Sequence, residues 1–94
     1  MTPGDPHADS SNNQLMVLVF GPQSQTVGLD RLPVACGSLP ISASDLMKQI
    51  ATQHPQLEPS LGVSRLAVNH EFAEDNMLIG QDVEVALVGL ISGG

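Results

Sequence analysis

The chain closes on Leu90-Ile91-Ser92-Gly93-Gly94, so its last functional group is a carboxylate on a residue without a side chain. A glycyl carboxylate has no Cβ to collide with its surroundings and can be threaded down a narrow crevice for activation. Six residues follow Val88, and at about 3.3 Å each they place the terminus up to ~20 Å beyond a folded body. That reach suits a terminus that reacts inside another protein. A merely frayed end, the usual state of chain termini, fits less well, because the glycines follow a strand-like run at residues 83–88 with no polar spacer.

The other chemistry-bearing residues have plainer roles. Cys36 is the single cysteine and reads as a small core or near-surface residue at a strand end rather than as a sulfur relay. His7, His54 and His70 are scattered, without the spacing of metal ligands, so no metal site is expected. Glu71, Glu74 and Asp75 could pair as general acid and base, but a solvated acidic turn that steers a basic partner is the better reading. Lys48 is the sole lysine, which argues against building a polymeric modifier chain on this protein. No Ser/His/Asp constellation and no phosphate-cradling glycine loop is found. Acid–base groups and any nucleotide site must therefore come from partners.

Composition sets bounds on the rest. The chain has 94 residues, 41% of them hydrophobic and only 2% aromatic, both phenylalanine. One small domain with an aliphatic core is expected, and base stacking is not available. Three basic residues (Arg31, Lys48, Arg65) against ten acidic ones give a net charge of −7, which argues against nucleic acid or an anionic membrane and for a basic protein partner. A lone cysteine fits a reducing compartment. Residues 1–13 carry neither the basic cluster nor the apolar stretch of a secretory or mitochondrial signal, and no run approaches the length that spans a bilayer. The cytosol is the expected compartment.

The elements that must position the tail can be read in order. Residues 1–13 are rich in Pro, Gly, Ser, Asn and Asp and read as a disordered leader. Residues 15–20, Leu-Met-Val-Leu-Val-Phe, predict a strand buried on both faces and central in its sheet. Residues 23–28 read as a polar turn leading to a weaker strand within 29–36, where Pro33 argues for an edge position; the two strands should form a hairpin. Ser42, with Asp45 three residues on, approximates a capping box. The helix it opens carries Leu46, Met47, Ile50 and Ala51 on one face and ends at His54-Pro55. A third strand falls at 66–69, an acid-rich turn at 69–76 and a short linking piece near 77–79. The final strand falls at 82–88, with Val83, Val85 and Leu87 opposite Glu84, Ala86 and Val88. One helix packed on one face of a small mixed sheet buries both apolar stripes. This is the order of the β-grasp, or ubiquitin-like, α+β architecture, with a leader at 1–13, a domain at 14–88 and a flexible tail at 89–94.

Three stretches carry a family resemblance: Val17-Leu18-Val19-Phe20 on to Gly28, Ala67-Val68-Asn69-His70-Glu71-Phe72, and Glu84-Val85-Ala86 on to Ser92-Gly93-Gly94. With the helix and its His54-Pro55 they resemble the small subunit of molybdopterin synthase, the sulfur carrier of molybdenum cofactor biosynthesis, in its eukaryotic form. The Ile-Ser-Gly-Gly ending is the most specific match. Family members usually carry a Gly-Asp turn before the last strand and a Pro-Pro pair before the final tetrapeptide. Here Asp82-Val83 and Gly89-Leu90 stand in those places, and a tail without prolines loses more entropy when it docks.

The resemblance implies a chemistry. An activating enzyme would consume ATP to place AMP on Gly94, and a sulfur donor would displace the AMP to leave a C-terminal thiocarboxylate. Adenylation supplies the leaving group that a carboxylate lacks, so the carrier needs no catalytic side chain and no permanently bound cofactor. The tail, with Gly93 and Gly94 at its reactive end, would enter a large catalytic subunit and pass sulfur to a cyclic pyranopterin precursor, two small and two large subunits forming a heterotetramer. Val88, Leu90, Ile91 and Ser92 are the expected docking residues, Val88 serving equally well as core. A protein modifier that joins Gly94 to a target lysine, and a sulfur carrier for thiazole synthesis or tRNA thiolation, are the alternatives. A plain interaction domain with an idle tail is the least favoured.

Overall fold

The apolar run at residues 15–20 forms the first strand, β1 (Gln14–Leu18), but it buries only one face. The computed structural model describes residues 13–90. The expected leader, apart from Asn13, and residues 91–94 of the expected tail lie outside the described residues. Leu15, Val17 and Val19 are buried, whereas Met16 is 49% and Phe20 57% exposed. The expectation of burial on both faces is corrected accordingly: helices cover one side of the sheet, and among the described residues no element packs on the other. The internal position of β1 holds. It pairs antiparallel with β2 (Arg31–Ala35) on one side and parallel with β7 (Val85–Gly89) on the other.

The five-stranded sheet has the order β2-β1-β7-β4-β5, with β4 at Ser64–Val68 and β5 at Glu71–Phe72. The last strand is therefore the central one. Val85 and Leu87 alternate onto the helix side and are fully buried. Residues 69–76, expected as an acidic turn, contain β5 as a short edge strand. It is reached through a two-residue hairpin in which Asn69 and His70 both take the left-handed conformation, at φ 52° and 74°.

Residues 23–28, expected as a turn, are helical. α1 spans Gly21–Val27, with Pro22 in its first turn, where a missing N–H is harmless. It ends at Gly28, whose φ of 73° is left-handed and whose N–H closes on the Ser24 carbonyl at 2.8 Å. The sequence GPQSQTV has no apolar stripe to announce a helix; Gln23 alone in it is buried.

The main helix, α2, spans Ala43–Gln53. The Ser42 hydroxyl accepts the Asp45 N–H at 3.1 Å, and Asp45 sits where the helix dipole favours a carboxylate. Ala43, Leu46 and Ile50 are buried, Met47 packs at the margin, and His54 terminates the helix before Pro55. A 3-10 turn, Pro55–Leu57, and one turn of helix, α3 (Glu58–Leu61), follow, with Leu57 plugging the core. The linking piece near residues 77–79 becomes β6 (Leu78–Ile79), which pairs with β3 (Ile41–Ser42) as a separate two-stranded ladder. The core is aliphatic, as composition required: Val17, Leu32, Val34, Leu46, Ile50, Ile79 and Leu87 carry it.

Pro33 does lie on an edge strand, and that edge is closed by helix α2. Ala35 presents its backbone outward, where the Gln53 carboxamide accepts its N–H and donates to its C=O, both at 2.8 Å. His54 Nε2 lies 3.1 Å from the Pro33 carbonyl. An edge so occupied does not offer a free ladder to another strand.

Candidate functional site

Central placement of β7 determines where the tail leaves the body. Its even-numbered residues bond to β4: Asn69 N–H reaches the Glu84 carbonyl at 2.8 Å and Leu90 N–H reaches the Val63 carbonyl at 2.7 Å. The strand is thus held to its last described residue. Ala86, Val88 and Leu90 point away from the helices; Val88 is half-buried and Leu90 49% exposed. Ile91, Ser92, Gly93 and Gly94, the remaining expected site residues, lie outside the described residues.

Beside that exit the uncovered sheet face is apolar. Met16 and Phe20 from the β1 segment, Ala86 and Val88 from β7, Ala67 from β4 and Phe72 from β5 share it. A hollow of about 360 Å³ opens among Phe20, Ala67, Phe72, Ala86 and Val88, with His70 and Glu84 at one end. The Arg65 guanidinium lies 4.9 Å from the centre of the Phe72 ring and donates to the Ala73 carbonyl at 3.3 Å. Phe20, at 57% exposure, and Phe72, at 52%, are the only aromatic residues of the chain. Both aromatic rings of the chain therefore stand on the outside of its sheet, in an exposed apolar patch of the kind that partners bind. Met16, Phe20 and Phe72 were missed as site residues by the sequence reading. The signal was the aromatic count itself, since no other rings exist to fill the core.

No protein-family model matches the chain. It is 30% identical over 88 residues to the molybdopterin synthase sulfur carrier subunit of Dictyostelium discoideum, an alignment that takes in 88% of this chain and 99% of that protein. The chain belongs to the molybdopterin synthase sulfur carrier family. Solved structures share its fold at lower identity. Small archaeal modifier protein 1 of Haloferax volcanii superimposes with a TM-score of 0.71 at 16% identity, covering 83% of this chain and 98% of that one. A chain from the complex of subunits 1 and 2 of the molybdopterin-converting factor of Helicobacter pylori does so with a TM-score of 0.59 at 18% identity, covering 87% and 100%. The β-grasp architecture is thereby shared.

In this member of the sulfur carrier family the remaining candidate residues do not converge. Cys36 is 1% exposed, its Sγ lies 3.6 Å from the Val34 carbonyl, and burial pushes its thiol above the usual range. A protonated, enclosed thiol is a poor nucleophile, which disfavours a sulfur relay. His54 serves the β2 edge, while His70 Nε2 stands 3.6 Å from Glu84 Oε2 at the surface. Among the described residues no three His, Cys, Asp or Glu side chains gather as a metal site. Glu71, Glu74 and Asp75 are all exposed, and Lys48 is exposed beside Asp45 at 3.9 Å. What the described residues offer is an apolar face and a tail held at its root.

Proposed function

We propose that this chain is the sulfur-carrying small subunit of a molybdopterin synthase, with Gly94 as the reacting residue. The observation that carries the reading is continuity: the uncovered face of Phe20, Phe72 and Val88 runs into Leu90, directly before Ile91-Ser92-Gly93-Gly94. A large catalytic subunit docks on that face, with Val88, Leu90, Ile91 and Ser92 completing the contact, and receives Gly93 and Gly94 in its active site. Family membership supports this partner, and the Helicobacter pylori neighbour is itself described as a complex of subunits 1 and 2. The assembly proposed is two small with two large subunits, in the cytosol. No described helix is long and apolar enough to cross a membrane.

The chemistry follows from the carboxylate. In the activating enzyme a Gly94 oxygen attacks the α-phosphorus of ATP; pyrophosphate leaves and an acyl adenylate forms. A sulfur nucleophile then adds to the Gly94 carbonyl carbon and AMP departs, leaving a thiocarboxylate. In the synthase that sulfur attacks a carbon of the precursor and displaces an oxygen leaving group from it, and water then cleaves the acyl–sulfur bond, leaving sulfur on the precursor and restoring the Gly94 carboxylate. Gly93 and Gly94 let the partners' groups close around the reacting carbon. The net charge of −7 favours encounter with basic surfaces on both partners.

A protein modifier would use the same activated Gly94, and the fold shared with an archaeal modifier protein leaves that reading in play; its sign would be adducts that survive denaturation and thiols. The carrier reading is tested by adding one alanine after Gly94. The extended chain is expected to fold and bind the large subunit yet fail to support cofactor production in a complementation assay. Full complementation would overturn the reading.

A further inference from the structure

Charge is not spread evenly over this acidic chain. Its lysine and arginines are Arg31, Lys48 and Arg65, and the alternation of each strand decides which side of the sheet the arginines take. On β2, Leu32 and Val34 are buried on the helix side, so Arg31, Pro33 and Ala35 fall on the uncovered face. On β4, Ser64, Leu66 and Val68 are buried, so Arg65 and Ala67 fall on that same face. Lys48 stands apart on α2, 3.9 Å from Asp45. Two of the three cations of a chain with net charge −7 therefore belong to the uncovered face. The described carboxylates are placed differently. Glu84 lines the hollow of that face, its Oε2 3.6 Å from His70 Nε2. Asp45 and Glu58 belong to α2 and α3, Asp30 accepts from Ser24 Oγ on α1 at 3.0 Å, and Glu71 lies opposite Val68, on the helix side.

The register sets the two arginines on opposite flanks of the apolar hollow. Arg31 lies opposite Leu18, Leu18 opposite Ala86, Ala86 opposite Ala67 and Ala67 opposite Phe72, one row across all five strands. The row begins on a guanidinium and ends on a ring. Over that ring lies the Arg65 guanidinium, 4.9 Å from its centre. Between the two ends Ala86 and Ala67, with their small side chains, line the hollow of about 360 Å³. Three strand steps of ~4.8 Å separate β2 from β4, and an offset of two residues along β7 adds to them, which puts the arginine Cα atoms on the order of 15 Å apart. Arg65 gives one N–H to the Ala73 carbonyl at 3.3 Å. A guanidinium carries five, in a planar fork that matches a carboxylate.

We propose that the surface docking on the uncovered face is acidic at its rim: an apolar patch that fills the hollow, flanked by two carboxylates on the order of 15 Å apart, one meeting Arg31 and one meeting Arg65. The inference rests on the carrier reading, under which that surface belongs to the large catalytic subunit. It reverses locally what the net charge of −7 suggests. Net charge acts at a distance, but in physiological salt its field fades over ~8 Å, so at contact the charges of the face itself decide. A partner can be basic overall and still meet this face with carboxylates. Apolar contact is non-directional and leaves the partner loose in the plane of the sheet. Pairing at both flanks fixes its lateral position, and with it the place where Leu90 leads into the partner.

The test is calorimetric titration of the full-length chain with the large synthase subunit, at low and at high salt. Arg31→Glu is the sharpest variant, because acidic and basic counterparts predict opposite signs. Against carboxylates it is expected to weaken binding about tenfold at low salt, with the loss shrinking as salt screens it; against a basic surface it would tighten binding. Should that variant fail to fold, Arg31→Gln removes the charge without reversing it and is expected to weaken binding about threefold. Unchanged or tighter binding by the Arg31 variant, or a loss that ignores salt, would overturn the proposal. Phe72→Asp separates that failure from failure of the carrier reading. If it weakens binding while the Arg31 variant does not, the docking face stands and its acidic counterpart falls. A parent chain that does not bind the large subunit at all would overturn both.

Discussion

Phe72 contributes little to the fold and lies on the proposed docking face. It sits on a two-residue edge strand, half in solvent, and its one specific contact is the Arg65 guanidinium. An exposed cation–π contact is worth about 0.5–1 kcal/mol, so Phe72→Asp is expected to lower unfolding free energy by no more than about 1 kcal/mol. At a binding face the loss of an aromatic anchor commonly exceeds about 2 kcal/mol. Calorimetry with the large subunit should therefore show at least tenfold weaker affinity while chemical denaturation changes little. Unchanged affinity would remove the uncovered face from the interface. Leu46 is the contrast: wholly buried on α2, it belongs to the class whose truncation to alanine costs about 2–5 kcal/mol.

Among the elements, the pair of β2 and the end of α2 links fold to solubility. Gln53 satisfies both outward backbone groups of Ala35, and His54 meets the carbonyl of Pro33, which has no N–H to expose. Gln53→Leu keeps the helix but strips that cover; because Ala35 is exposed and water can take the freed groups, it is expected to cost no more than about 0.5–1.5 kcal/mol and to promote edge-to-edge association. Light scattering during size-exclusion chromatography reads the outcome; a strictly monomeric variant at high concentration would show that Pro33 alone protects the edge. Elements with a strong local signal were legible in the sequence: the Ser42 cap, the His54-Pro55 stop, the alternation of residues 83–88 and the edge proline. Those without one were not. α1 offers no apolar stripe because it uses a polar residue, Gln23, to face inward, and β5 is too short to show a period. The run at 15–20 misled for a different reason, since apolar residues on both faces of a strand signal either a second layer of the domain or a partner.

For the molecule as a whole, the proposed division is between a body without assembled catalytic groups in its described residues and a terminus activated by partners. The aliphatic core holds β7 in the middle of the sheet, and β7 leads into Leu90; the net charge is acidic and both aromatic rings stand on the uncovered face. The glycine pair is a chemical and local signal in the sequence, and it lies outside the described residues. The uncovered apolar face was not legible, because it depends on which side of the sheet the helices take, a choice made by packing and only weakly encoded in any one segment. Intact-mass spectrometry of the chain purified from cells with an active pathway tests the central claim most directly. A gain of ~16 Da, sulfur replacing one oxygen of the Gly94 carboxylate, lost with a chain ending at Ser92, is the predicted result; a mass that never departs from the carboxylate form in such cells would contradict it.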